Sequence, residues 1–209
     1  MTQLTKNQKA GSCWGELTAD GSEIWDTNPI FVGTPSLAQK LKLLLYPKKL
    51  MLYYWIQKNL TEKNKIYRIL DVGCGTGASL IEMKALFGAR VQLYGLDVVQ
   101  MQVDIAQRKL ADVHVRAVVK LYDGQHIPYE SDFFDVIYTS DVLGHVQDVP
   151  QWLLELNRIL QPDGALAMFS ESQLGRHAYI RNYLLSHGVN TDPHTQFHIS
   201  LYSKKELRR

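Results

Sequence analysis

The chain has no apolar run able to cross a bilayer. Its longest, Leu50–Ile56, is seven residues, against roughly 18 for a span. It has two cysteines, Cys13 and Cys74, too few for a disulfide framework and without metal-ligand clustering. It lacks an excess of either charge: 23 basic against 21 acidic groups leave +2, which excludes a dedicated nucleic-acid binder. Repeats and low-complexity tracts are missing, and 14 glycines and seven prolines in 209 residues fit neither a fibrous nor a disordered chain. The start, Met1-Thr-Gln-Leu-Thr-Lys6, lacks the apolar stretch of a signal peptide. A reduced, cytoplasmic, globular protein is expected, with no membrane and no nucleic-acid partner.

What is present is a chain of ordinary composition, 45% hydrophobic and 21% charged, long enough for one domain with a single core. Charge is unevenly placed. Residues 1–50 carry six basic and four acidic groups, 51–170 eleven and fourteen, and 171–209 six and three. An acidic middle between basic ends suits a ligand of cationic character.

The first 34 residues are rich in Gly, Ser, Thr and Asn, with isolated aromatics at Trp14, Trp25 and Phe31, and read as irregular structure. From Ser36 the pattern turns helical, with Leu37, Leu41, Leu44 and Leu45 on one face. Pro47 suits the first turn of a second helix, Pro47–Asn59, expected to pack through Leu50, Met51, Tyr54 and Trp55. Short apolar strands then alternate with helices: strands at 66–72, 91–96, 113–119, 134–139 and 165–169, helices at 78–87, 99–110 and about 149–160. Alternation of this kind predicts βαβ units, an α/β doubly wound, mostly parallel sheet.

Three signals at the expected strand ends carry chemistry. In Leu70-Asp-Val-Gly-Cys-Gly-Thr-Gly77, three alternating glycines between a strand and a helix let backbone approach a ligand at a helix N-terminus. Asp71 beside them would repel a pyrophosphate and tolerate an ammonium or sulfonium. Asp97, in Tyr94-Gly-Leu-Asp-Val98, can accept hydrogen bonds from both hydroxyls of a ribose, or cap the helix that follows. Asp123-Gly124, after the third strand, can accept an adenine amino group or be a turn alone.

With these motifs in this order the chain resembles a class I S-adenosylmethionine-dependent methyltransferase, of the broad group that includes the ubiquinone and menaquinone C-methyltransferases. The likeness runs from Ile66 to Phe169 and takes in Asp132–Ser140 as the fourth strand. Leu153–Gly164 matches the following helix and turn, with Asp163 where the family has a glycine. The resemblance implies S-adenosylmethionine as cofactor and a small-molecule acceptor methylated by in-line displacement. It places the cofactor on Asp71, Gly73, Cys74, Gly75, Gly77, Asp97, Val98, Asp123, Gly124 and Ser140. It implies residues 1–60 as lid and helices, 61–170 as the cofactor-binding core and 171–209 as a cap segment, all in one structural domain. A seven-stranded sheet would also be implied, but Ser203–Arg209 look only like the start of the helix before the last hairpin. That hairpin is expected to be missing, leaving a sheet edge open to a second copy.

No catalytic residue is assigned. His145, beyond the fourth strand, is a base for a protonated acceptor or a residue that fixes its loop. No metal is expected, because His177, His187, His194 and His198 lack ligand spacing. The aromatics of residues 11–34 form a substrate lid or a plug beneath the helix at Ser36–Tyr46. A nicotinamide-dependent oxidoreductase is disfavoured: its Tyr-x-x-x-Lys motif occurs only at Tyr54–Lys58, ahead of the glycines. A non-catalytic cofactor-binding homologue is the remaining alternative.

Overall fold

The computed structural model describes residues 26–170 together with 183–184, 186–189, 202 and 205–206. The chain divides into two compact units, one of Cys13–Ser140 with Pro150–Phe169, the other of Met1–Ser12, Asp141–Val149 and Ser170–Arg209. In the second, the described elements are a 3-10 turn, Leu143–His145, and a short turn in which Ser186 Oγ donates to Tyr183 O at 2.7 Å.

The first unit is built on five strands: β1 (Tyr67–Val72), β2 (Val91–Asp97), β3 (Ala117–Leu121), β4 (Phe134–Ser140) and β5 (Leu160–Phe169). Its helices are α1 (Leu37–Lys42), α2 (Pro47–Asn59), α3 (Ala78–Phe87), α4 (Gln100–Asp112) and α5 (Val149–Ile159). All strand pairings are parallel, in the order β3-β2-β1-β4-β5. This is the expected α/β doubly wound sheet. Every residue of β1 except Arg68 is buried, as a strand covered on both faces requires. The chain runs outward from β1 to β3 on one side and to β5 on the other. The crevice at that reversal, outside the strands' carboxyl ends, is where open α/β sheets hold ligands.

Three local expectations are corrected. The third strand starts at Ala117 rather than Val113, because α4 continues to Asp112 and leaves through a left-handed His114 (φ 55°). Val115 N–H then donates back to Leu110 O at 2.8 Å, which satisfies a terminal carbonyl of the helix. Pro162-Asp-Gly164 does not precede the fifth strand but lies within it. Asp163 has φ 65°, and the register jumps from Phe134↔Leu160 to Val136↔Ala165, so the extra residues are absorbed as a bulge.

The third correction concerns the N-terminal helices. Leu37, Leu41, Leu44 and Leu45 are exposed, and only Leu43 of this stretch is buried. In α2 the buried face is Leu52, Tyr53 and Ile56, which join Val136, Tyr138, Ala165 and Ala167 in the core, while Met51, Tyr54 and Trp55 face outward. Core positions at 52, 53 and 56 obey the same 3.6-residue period as the expected set, rotated by part of a turn.

Candidate functional site

The carboxyl ends of β1, β2 and β4 meet in register, with Asp71 opposite Gly95 on one side and Tyr138 on the other. Beyond β1 the backbone folds into a loop whose glycines all have positive φ: Gly73 75°, Gly75 51° and Gly77 85°. Gly73 and Cys74 donate to Leu96 O at 2.8 and 3.0 Å, which draws the loop across β2. That approach needs Gly95, where a Cβ would stand 2.9 Å from Cys74 Sγ. At Gly77 a Cβ would lie 3.1 Å from that of Ala106, so the glycine lets α3 start close against α4 as well as turn left-handed.

Asp97 does two jobs at the tip of β2. Its Oδ2 accepts from Gly75 N–H at 2.8 Å, and its Oδ1 from Val99 N–H at 3.0 Å. Val99 itself is the N-cap of α4, which has no side-chain cap bond, so Asp97 does not cap the helix; its carboxylate ties the turn before α4 to the glycine loop. Beside it, Val98 is 40% exposed, and a Cβ on Gly124 (φ 81°) would touch Val98 Cγ1 at 3.4 Å. Asp123 is exposed. Its Oδ1 accepts from Gln125 and His126 N–H at 2.8 and 2.6 Å, and these bonds hold its carboxyl below the usual range. Tyr122, whose N–H donates to Asp97 O at 3.0 Å, has its phenol pushed up to about 12 by burial.

Asp71 is 2% exposed, and its Oδ2 is buried without a hydrogen-bond partner. Burial pushes its carboxyl well above the ordinary range; Asp97 and Glu82 push the same way and Lys49 opposes them. Such an atom, facing two further acids, is a place for a positive group. Glu82, fully buried on α3, accepts from Lys49 Nζ at 2.9 and 2.8 Å, from Ile30 N–H at 2.7 Å and from the Tyr53 hydroxyl. The Tyr53 ring stacks on that of Tyr138, with centroids 6.0 Å apart. Tyr138 Oη lies 3.5 Å from Ser79 Oγ, and burial raises both phenols.

A strap formed by residues 26–31 crosses this loop. Thr27 N–H donates to Thr76 Oγ1 at 3.2 Å, Thr76 Oγ1 returns a bond to Thr27 O at 3.4 Å, and Lys109 holds Asp26 and Thr27 O. Phe31 is 2% exposed within the core. Trp14, Trp25 and Cys13 lie outside the described residues.

The sequence-predicted residues Asp71, Gly73, Cys74, Gly75, Gly77, Asp97 and Val98 thus come together on one rim, with Asp123 and Gly124 beside Val98. Cys74 is a buried free thiol. Ser140 ends β4, two residues beyond the level of Asp71. His145 closes its 3-10 turn, with N–H on Val142 O at 2.9 Å. Sequence reasoning missed Thr27, Thr76 and the Lys49–Tyr53–Glu82 set. A lone acid inside Ser79-Leu-Ile-Glu-Met83 was a usable signal, because a buried charge demands partners. Nothing in the sequence singled out Thr27.

Residues 40–209 match the family model described as a methyltransferase domain. The chain belongs to this family. It is similar to the demethylmenaquinone methyltransferase of Lactobacillus johnsonii, 31% identical over 135 residues, covering 59% of this chain and 55% of that one. It is also similar to the 27-O-demethylrifamycin SV methyltransferase of Amycolatopsis mediterranei, 33% identical over 103 residues, covering 48% and 37%. The chain therefore spans about half or less of the length of these curated relatives. The solved structure of a SAM-dependent methyltransferase from Aquifex aeolicus shares the fold, with TM-score 0.52 and 22% identity over 74% of this chain and 89% of that one.

Proposed function

We propose that the chain binds S-adenosylmethionine at the carboxyl ends of β1 and β2 and directs its methyl group to a small organic acceptor. The observation that carries this reading is the buried, unpartnered Asp71 Oδ2 beside a glycine loop that Asp97 holds in place. When bound, the cofactor supplies a sulfonium-activated methyl for in-line displacement. The chain's own residues then have separable tasks. Asp71, with Asp97 and Glu82 near it, favours a cation and disfavours a pyrophosphate, which argues against a nicotinamide cofactor. The backbone of Gly73–Gly77 offers close approach without side chains. Asp97, held at the tip of β2 by its bonds from Gly75 and Val99 N–H, offers a carboxylate suited to ribose hydroxyls. Val98 gives an exposed apolar surface for an adenine ring, edged by Asp123-Gly124. Ser140 flanks the same rim. The relatives' names point to acceptors such as demethylmenaquinone and 27-O-demethylrifamycin SV, which supports a small organic acceptor here too.

Calorimetric titration tests the reading. The wild-type chain should give heat with S-adenosylmethionine and none with NADH. Asp97→Ala loses charge-assisted bonds to ribose and the anchor of Gly75, about 1.5–3 kcal/mol or roughly 10- to 150-fold in affinity. No heat with S-adenosylmethionine in the wild type overturns the proposal. An unchanged affinity in Asp97→Ala reduces Asp97 to a backbone anchor. Incorporation of labelled methyl into a metabolite extract tests the transfer step and identifies the acceptor by mass.

A further inference from the structure

We propose that the outward face of α1 and α2 docks on an anionic lipid surface, with the site's rim turned towards it. The face is apolar where water should be. Leu37, Leu41, Leu44, Leu45, Met51 and Trp55 are each at least half exposed, Leu45 reaching 78%. Soluble monomers seldom expose so many large apolar side chains within one short segment unless they contact something. The charges of the same segment have one sign. Residues 35–60 contain Lys40, Lys42, Lys48, Lys49 and Lys58 and no acid. Lys49 is committed to Glu82, while Lys40, Lys42 and Lys58 are exposed.

That pattern selects the occupant. A second copy seated face to face would bring lysines against lysines, a like-charge arrangement that opposes pairing. A surface of anionic headgroups over acyl chains satisfies both halves: lysines meet the headgroups, and leucines and Trp55 enter the apolar boundary. No helix of the described residues is long and apolar enough to cross a membrane, and lying on one requires no such helix. The contact departs from the expectation, drawn from the missing span, that membranes play no part.

The orientation follows from two contacts. Lys48 lies over the ring of Phe169, the last residue of β5, at 5.1 Å. Lys49 reaches Glu82 in the second turn of α3, just past the glycine loop. The Pro47 end of α2, which α1 leads into, therefore lies towards the carboxyl ends of the strands, the side that holds Asp71 and Asp97. A lipid-dissolved acceptor would reach the site from the surface on which the protein lies. The docking itself does not rest on the methyl-transfer reading.

Vesicle flotation of the full chain tests this without turnover. Vesicles of phosphatidylcholine mixed with phosphatidylglycerol should carry the protein at low salt, and pure phosphatidylcholine should carry far less. The double variant Lys40→Glu/Lys42→Glu should bind the mixed vesicles about thirtyfold or more weakly. Leu44→Ser/Leu45→Ser should also release them, and both variants should keep the wild-type melting temperature, since the altered side chains are exposed. Three results overturn the proposal: no flotation on mixed vesicles, flotation unaffected by the lysine variant, or flotation unaffected by the leucine variant. So does a dimer seen by light scattering that Leu44→Ser/Leu45→Ser dissolves, because a second copy then covers the face.

Discussion

Burying an ionised carboxylate with no partner costs on the order of several kcal/mol unless the group gains a proton or a cation. Asp71 stands in that position, raised well above 3.8 chiefly by burial. Between 3.8 and its raised value the folded chain holds a proton that the unfolded chain has released. Stability therefore falls as pH climbs through that window. Asp71→Asn removes the penalty. It should raise the melting temperature at pH 7, by an amount that shrinks towards pH 4, while it weakens S-adenosylmethionine binding. Thermal melts at the two pH values and a titration at pH 7 check the two halves together. A gain independent of pH would show that Asp71 is not held in a raised state. Asp97 is the opposite kind of acid, with both oxygens bonded to backbone N–H groups, so its removal loosens the loop as well as the ligand.

At the scale of elements, the loop from β3 to β4 carries Asp123 and is clipped from below by α5. Arg158 donates to Ile127 O and Tyr129 O at 3.0 and 2.8 Å, and pairs with Glu155, which accepts Ile127 N–H at 3.1 Å. The Arg158 guanidinium lowers the Glu155 carboxyl from 4.5 to about 2. The clip's contribution is fully present above 4.5 and is lost as pH falls through about 2. Glu155→Gln should therefore melt below the wild type at pH 7, with the gap narrowing below 4.5. A gap that stays constant from pH 7 to pH 3 would place the ion pair outside the stability of this loop. The glycine loop and the strand-end acids were legible because their function rests on residue types at fixed offsets from strands. The exit of α4 was not, since Val113-His-Val-Arg116 alternates like a strand, while the helix's own carbonyls, through Val115 N–H, decide where it ends. The faces of α1 and α2 were misread for a related reason. Periodicity gives the spacing of an apolar stripe, but only β4 and β5, lying against α2, decide which stripe is inside. The strap was invisible, because Thr27 brings only its backbone, which any residue supplies, to the Thr76 hydroxyl 49 residues away.

For the molecule as a whole, a ligand that binds only the folded state raises its stability by about 2.7 kcal/mol at a hundred times its Kd. For a chain of this size that is a rise of about 5–10 °C in melting temperature. Scanning calorimetry with S-adenosylmethionine should show it and NADH at the same concentration should not; a shift with both would mean binding without discrimination. The placing of β1 has a further consequence, in the history of the chain during synthesis. Among the described residues β1 is the first strand made, and it is the central one in the sheet, yet its partner on one side is β4. The Arg68 N–H that meets Asp135 Oδ2 at 2.7 Å waits for a residue 67 positions later. Until β4 leaves the ribosome, one edge of the central strand stays unpaired, and Leu52, Tyr53 and Ile56 of α2 lack the strands they pack on. Long loops close slowly, and open edges beside bare apolar faces are what holdase chaperones protect from aggregation. A translational pause between β3 and β4 would prolong that exposure, and rapid passage from Leu121 to Phe134 would shorten it.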